Sequence, residues 1–134
     1  MKIDGSCHCG AITYRAEIDP NEVLICHCSD CQTLSGSAYR TVVFAKDASF
    51  ELLSGTLKTY IKIADSGRER AQTFCPECGS PTYSPSPGDN PKALGIRVGT
   101  CRQRDELRPK KRFWCGSAQP WSDDISALPK VETP

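Results

Sequence analysis

Residues 7–10 read CHCG and residues 75–79 read CPECG, and these two short stretches decide the fold. In each, two cysteines stand one or two positions apart, so their thiolates can turn onto a single tetrahedral metal ion. Cysteines this close in sequence are too crowded for an unstrained disulfide with each other. Together the stretches supply four ligands for one structural zinc: Cys7, Cys9, Cys75 and Cys78. This zinc would tie the N-terminal strand to the middle of the chain.

A third stretch, CHCSDC at residues 26–31, offers three more cysteines: Cys26, Cys28 and Cys31. Three protein ligands leave a zinc with a vacant position, which is typical of catalytic sites. Three thiolates acidify a bound water less than three histidines do, so a soft thiol fits the vacant position better. We therefore predict two Zn²⁺ per chain, the second of them an open, catalytic zinc. A substrate thiol bound there would form or break a carbon–sulfur bond with a small carbonyl compound.

Other interpretations of the triple cluster stay open. The cluster could be empty or redox active, or another side chain could close it: His8, His27, Asp30 or Cys101. The ring of His27 would have to fold back over its own backbone to reach the same ion, so a hydrogen-bonding role beside the ligands is favoured. Four residues near the ligands are unassigned candidates for proton transfer: His27, Ser29, Asp30 and Tyr39. The isolated Cys101 and Cys115 are expected to be small hydrophobic residues.

The composition predicts one soluble domain over residues 1–134. Lys and Arg number 17 and Asp and Glu 16, so the net charge steers the chain to neither nucleic acid nor membrane. The N-terminus lacks an apolar signal-peptide core, and no apolar run approaches the roughly 18 residues of a membrane span. Nine cysteines without a secretory signal favour the reducing cytoplasm over a disulfide framework.

The dominant hydrophobic period along the chain is two, which predicts a mainly β fold with little helix. In AITYRAEI, the apolar residues of one strand face would be Ile12, Tyr14, Ala16 and Ile18. Five further segments have the composition of strands: RTVVFAK, SFELLSG, LKTYIKI, ERAQTFC and ALGIRVG. One short helix is expected in SDCQTLSG, capped by Ser29 and ended by Gly36. An exposed loop is expected in SPSPGDNP, residues 84–91.

A competing hypothesis is a non-catalytic zinc-binding module. Residues 102–112 contain six basic side chains and are followed by Phe113 and Trp114, a combination that can hold single-stranded nucleic acid. Asp105, Glu106 and the balanced total charge argue against nucleic acid. A domain in which both metals are structural could instead bind a protein.

The order of the motifs resembles one family closely. It runs CxCG, CHCxxC, FCPECGSP, GIRVGT and a tail ending PWSDDISALP, and it resembles the glutathione-dependent formaldehyde-activating enzymes, whose domain is shared with centromere protein V. The resemblance implies a β-tent (Mss-four-like) fold of short antiparallel strands stapled by a four-cysteine zinc, with a second zinc held by three cysteines. It also implies a carbon–sulfur lyase that condenses glutathione with formaldehyde to S-hydroxymethylglutathione. The cysteines of this chain match both ligand sets position by position.

Two positions depart from the family pattern. Gln32 stands directly after CHCSDC where relatives usually carry Arg, which predicts that a cation near the open zinc is missing. Cys101 and Arg102 follow GIRVGT where many relatives have Leu-Asp. An anionic substrate is therefore expected to be held differently in this chain.

Overall fold

The structure is a computed structural model that describes residues 1–46, 48–85 and 94–134. Within these ranges the chain is mainly β, as predicted, and has one short α-helix. The strands are Lys2–Ser6 (β1), Thr13–Glu17 (β2), Leu24–Cys26 (β3), Arg40–Ala45 (β4), Glu51–Ser54 (β5), Lys58–Ile63 (β6), Glu69–Phe74 (β7), Tyr83–Pro85 (β8), Leu94–Arg97 (β9) and Lys111–Phe113 (β10). The helix, α1, comprises Ser29–Ser35, and five short 3-10 helices follow β9.

The first sheet is antiparallel, with strand order β1-β2-β5. The predicted apolar face of β2 and its flanks is confirmed, because each of its four residues is at most 4% exposed: Ile12, Tyr14, Ala16 and Ile18. Gly5 of β1 pairs with Tyr14. A Cβ atom on Gly5 would collide with the Tyr14 ring and hydroxyl and with the carbonyl oxygen of Thr100. Glycine is therefore required where β1 crosses this ring.

The second sheet has five strands in the order β10-β3-β4-β9-β8. Val43 of β4 and Ile96 of β9 are fully buried and pack with Tyr14 in the main core. The other face of this sheet, which carries Arg40 and Arg97, lines a cavity. β10 pairs parallel with β3, in contrast to the antiparallel neighbours expected throughout. Parallel pairing needs a long connection, and here the chain passes through most of the fold between the two strands.

The third sheet is the antiparallel hairpin of β6 and β7. Lys62 of β6 lies directly opposite Arg70 of β7, and both line the cavity. The hairpin is joined to the segment before β8 by a bridge between Phe74 and Pro81. The five-stranded sheet and the hairpin thus form two walls of the same cavity.

Helix α1 forms where expected, but its N-cap differs from the prediction. The cap is Cys28 rather than Ser29, because the Cys31 N–H donates to the Cys28 Sγ at 3.3 Å. The helix ends at Gly36, which adopts a left-handed conformation with φ of 64°. A proposed metal ligand therefore also sets the start of the helix.

Four strands lie outside the predicted segments: the five-residue β1 and the three-residue β3, β8 and β10. In β1 only Ile3 is a large apolar residue, and the other three strands are too short to show an alternation. Ser84 and Pro85, expected in an exposed loop, lie in β8, and Ser84 is buried. The rest of that predicted loop, residues 86–91, lies outside the described residues, as does Asp47 of one predicted turn. Nowhere in the described stretches is there a helix with the length and hydropathy needed to cross a bilayer.

Candidate metal centres

The structure brings the four predicted structural ligands together. Their Sγ atoms all lie within 4.8 Å of one another: Cys7, Cys9, Cys75 and Cys78. Two of the separations are 3.5 Å, between Cys7 and Cys9, and 3.8 Å, between Cys9 and Cys75. A tetrahedral zinc with Zn–S bonds of 2.3 Å would place its sulfurs about 3.8 Å apart. The cluster could therefore hold one zinc ion.

The surroundings of this cluster shift the pKa values of its thiols in opposite directions. A backbone hydrogen bond with Ala11 lowers the pKa of Cys9, but the neighbouring cysteines outweigh it and raise that pKa to about 12. Burial raises the pKa of the Cys7 thiol, but hydrogen bonds from the Ile12 N–H and neighbouring cysteines outweigh burial, and the pKa is lowered. The Ser80 hydroxyl, 3.2 Å from the Cys78 Sγ, lowers the pKa of Cys78 to about 5. Cys7 and Cys75 are buried beside Ile12 in a small second core. A metal held here would be part of the packing.

The three cysteines of the second cluster also converge. The Sγ atoms of Cys26, Cys28 and Cys31 lie within 4.8 Å of one another. Cys26 is the last residue of β3, Cys28 is the N-cap of α1, and Cys31 lies in the first turn of α1. The Cys31 thiol lowers the pKa of Cys26 to about 5, with a contribution from Arg40, and the same hydrogen bond raises the pKa of Cys31. The strand end and the helix start therefore place three sulfurs where they could hold a second metal ion.

No fourth protein ligand completes this second cluster among the described residues. No other Cys, His, Asp or Glu ligand atom there lies within 4.8 Å of all three sulfurs. Asp30 instead pairs with Lys62 at 2.7 Å. Cys101 packs in the main core, 3.4 Å from the Tyr14 hydroxyl. The backbone N–H of His8 donates to the Ser80 hydroxyl beside the first cluster. Of the alternative ligands, Asp30 and Cys101 are therefore engaged elsewhere, and His8 is located at the other cluster.

His27 is also directed away from the second cluster. Its Nε2 accepts a hydrogen bond from the Arg112 Nε at 3.2 Å, and its backbone N–H donates to the Phe113 carbonyl oxygen at 2.9 Å. Its ring lies edge-on to Tyr39, with centroids 5.4 Å apart. His27 thus joins the segment between Cys26 and Cys28 to β10. Of the four proton-transfer candidates, only Ser29 and Asp30 line the cavity.

The cavity beside the second cluster has a volume of about 520 Å³. All three cysteines line it, at the junction of α1, the five-stranded sheet and the β6–β7 hairpin. Its apolar lining includes Leu34, Phe44, Phe113 and Trp114. The volume lies within the range of roughly 300–1,000 Å³ found for small-molecule sites. The second cluster therefore opens onto a space large enough for a substrate, whereas the first is closed by its fourth cysteine.

The expected loss of a cation near the second cluster is wrong. Gln32 does not face the cavity: its Nε2 donates to the carbonyl oxygens of His27, at 2.7 Å, and Ser117, at 2.9 Å. The cavity is instead lined by four basic residues from the strands: Arg40, Lys62, Arg70 and Arg97. Arg40 lies directly opposite Cys26 in the β3–β4 register, so the two side chains share a face of the sheet. From the sequence, five arginines on predicted strands or their ends are candidates for an anion site: Arg15, Arg40, Arg68, Arg70 and Arg97. The sequence does not show that Arg40, Arg70 and Arg97 come together with Lys62, because the four residues lie on separate strands.

Several of the basic residues considered for nucleic-acid binding form ion pairs within the fold. The Arg112 guanidinium lies 2.8 Å from Asp123, and Arg102 lies 2.9 Å from Asp4. Arg112 also contacts His27 and belongs to β10. These solvent-exposed ion pairs connect the C-terminal part of the chain to β1 and β10.

Comparison with known proteins agrees with this arrangement. The sequence matches the family described as glutathione-dependent formaldehyde-activating enzyme over residues 2–117. A protein of Halomonas elongata with the provisional name glutathione-dependent formaldehyde-activating enzyme is 32% identical over 87 residues, which are 60% of this chain and 54% of that protein. The crystal structure of a Rhodobacter sphaeroides protein has the same fold, with a TM-score of 0.62 at 22% identity over 81% of this chain and 98% of that one. Because the family match covers most of its length, this chain belongs to the glutathione-dependent formaldehyde-activating enzyme family.

Proposed function

We propose that the chain is a zinc-dependent carbon–sulfur lyase that adds a thiol of the glutathione type to formaldehyde or a related small carbonyl compound. The observation that supports it is the open cluster of Cys26, Cys28 and Cys31 on the wall of a cavity of about 520 Å³. Three ligands with a free side are the catalytic arrangement of zinc. In this proposal the four-cysteine cluster holds a second, structural zinc.

The three-cysteine site suits a thiol substrate. A zinc bound there supplies a fourth coordination position that favours a soft ligand and keeps the bound thiol deprotonated. The reaction forms one carbon–sulfur bond: the sulfur lone pair attacks the carbonyl carbon, and the C=O π electrons move to the oxygen. That oxygen then takes a proton, giving an S-hydroxymethyl product, and the reverse reaction releases thiol and aldehyde.

The side chains of the cavity would orient the reactants. The thiol group enters beside Cys26, where Arg40 adds positive charge that favours an anionic sulfur. The aromatic rings of Phe113 and Trp114 supply apolar lining on the same cavity. Lys62, held by Asp30 at 2.7 Å, places an ammonium donor on the wall that can hydrogen-bond to the developing alkoxide.

The first test is the zinc content per chain of protein purified under reducing conditions, for wild type and Cys28→Ser. Cys115→Ser is the matched control, because Cys115 is exposed and, among the described residues, its thiol hydrogen-bonds only to the Arg112 carbonyl oxygen. We expect two zincs in wild type and in the control, and one in Cys28→Ser.

The second test is catalysis. Because glutathione and formaldehyde also combine without a catalyst, exchange should be followed by NMR with ¹³C-formaldehyde at equilibrium. Wild type and Cys115→Ser should broaden the exchanging resonances, and Cys28→Ser should not. A single zinc in all three proteins, or equal exchange rates with and without Cys28, would refute the proposal in favour of a structural or binding role.

A further inference from the structure

The cavity contains a cluster of three arginines, Arg40, Arg70 and Arg97, for which the described residues provide no carboxylate partner. Arg40 is 7% exposed, yet its Nη1 donates to the neutral amide oxygen of Gln72 at 2.9 Å. The Arg97 Nη2 donates to that same oxygen at 2.8 Å. Two guanidinium groups therefore share one uncharged acceptor, and neither forms an ion pair with a described Asp or Glu.

Two hydrogen-bond donors of the arginine cluster also lack an acceptor. The Nε atoms of Arg70 and Arg97 are buried and have no hydrogen-bond partner among the described residues. Buried polar groups are nearly always satisfied in native proteins, so each exception calls for an explanation. Burial, with a contribution from Arg40, lowers the pKa of Arg97 to about 9. This environment is unfavourable for the cations as it stands, and a bound anion would relieve it.

The position of Gln72 is fixed by its neighbours. Its Nε2 donates to the Ser84 Oγ at 3.2 Å, and that hydroxyl donates to the Ala71 carbonyl oxygen at 2.8 Å. The Gln72 amide oxygen is therefore held toward Arg40 and Arg97. Its two hydrogen bonds keep the two guanidinium groups next to each other.

The unpaired donors and the positive charge together indicate what the arginine cluster binds. Three thiolates with one Zn²⁺ carry a net charge of about −1, while three guanidinium groups carry about +3. Lys62 and Asp30 neutralise each other as an ion pair. Asp65, which also lines the cavity, contributes one negative charge, so an excess of about one positive charge remains after metal binding. No ion pair among the described residues joins the Asp65 carboxylate to the three arginines, so the buried Nε donors of Arg70 and Arg97 still lack an acceptor.

We infer that the arginine cluster binds a carboxylate carried by the thiol substrate, so that this chain selects acidic thiols over neutral ones. The inference rests on the proposed function, because it assumes that the thiol sulfur occupies the three-cysteine site. Planar guanidinium groups bind carboxylates through paired, charge-assisted hydrogen bonds, which are the strong class. Glutathione satisfies this requirement, and so does any small thiol acid that spans the distance between the cluster and the sulfurs.

The test compares two thiols that differ mainly in charge, 3-mercaptopropionate and 3-mercapto-1-propanol. Their binding to zinc-loaded protein is measured by titration calorimetry, and zinc content is measured again afterwards. We expect wild type to bind the acid at least about tenfold more tightly than the alcohol, a difference of about 1.4 kcal/mol. Arg97→Gln should lose most of this preference and retain its affinity for the alcohol.

A second variant keeps the inference testable if Arg97→Gln fails to fold. Gln72→Glu is nearly isosteric and places a carboxylate between the two arginines, where it would occupy the position of the substrate carboxylate. We expect this variant to unfold at a higher urea concentration than wild type and to bind both thiols with equal affinity.

The outcomes separate this inference from the proposed function. Equal affinity of wild type for both thiols would overturn the carboxylate site and leave the thiol-binding zinc intact. A preference for the acid that persists in both variants would also overturn it, since the carboxylate would then bind elsewhere. Binding of neither thiol would overturn both the proposed function and the inference.

Discussion

Cys75→Ser is expected to destabilise the fold much more than Cys101→Ser, although both thiols are fully buried. Cys75 belongs to the four-cysteine cluster, in which Cys9 and Cys75 are 66 positions apart in sequence. Closing a loop of that length removes about 15 cal/mol/K of entropy from the unfolded chain, or about 4 kcal/mol at 25 °C. A domain of this size has roughly 5–15 kcal/mol of stability in total. Losing the metal tie should therefore leave Cys75→Ser marginally stable.

Cys101→Ser is the matched control because it makes the same chemical change without touching a proposed ligand. The Cys101 Sγ lies 3.4 Å from the Tyr14 hydroxyl, so a serine hydroxyl keeps a hydrogen-bond partner. We expect a cost of about 1 kcal/mol, typical of a single substitution. Urea unfolding is followed by tryptophan fluorescence, with and without a chelator. Equal losses in the two variants, or a wild-type midpoint that the chelator does not change, would refute the structural role of this metal.

Three further predictions concern packing and surface charge. Gly5→Ala should cost about 1–3 kcal/mol, because the added methyl group would collide with the buried Tyr14; a urea midpoint equal to that of wild type would contradict this packing. Gln32→Ala removes three side-chain hydrogen bonds between α1 and its neighbours, worth about 2 kcal/mol together, and should speed amide exchange around Ser117. Unchanged exchange there would show that other contacts hold this segment. Arg15→Ala should change the free energy of unfolding by less than about 0.5 kcal/mol, since its ion pair is solvent-exposed, and a larger loss in the same urea assay would assign that pair a structural role.

The triple cluster could be predicted from the sequence because its cysteines are neighbours in it, and the four-cysteine cluster because each of its two halves is a pair of neighbouring cysteines. Cys26, Cys28 and Cys31 span six residues, and a strand end followed by one helical turn brings them together. The same holds for the apolar face of β2, where the period of two is carried by one continuous segment. Local patterns of this kind can be interpreted from the sequence because they do not depend on which strands pair.

The arginine cluster could not be predicted in the same way. Arg40 and Arg97 alternate with core residues along β4 and β9, and that alternation correctly places them on the side away from the core. An outward arginine on a strand is ordinarily solvated. Here the β6–β7 hairpin faces that side, and only the pairing of strands shows that Arg40 lies opposite Cys26. The burial of these cations is a tertiary property.

The arrangement of charge around the cavity is unfavourable for stability alone. Lys62 and Arg70 are directly opposite on adjacent strands, a placement that destabilises a sheet when the charges have the same sign. Arg40 and Arg97 share a neutral acceptor in a buried setting, where cations normally require carboxylate partners. Natural sequences depart from such rules mainly at functional sites. The four-cysteine cluster, by contrast, sits in a small apolar core beside Ile12. The free-energy cost of placing these cations together is therefore concentrated around the open cluster. A ligand that carries negative charge would offset this cost there.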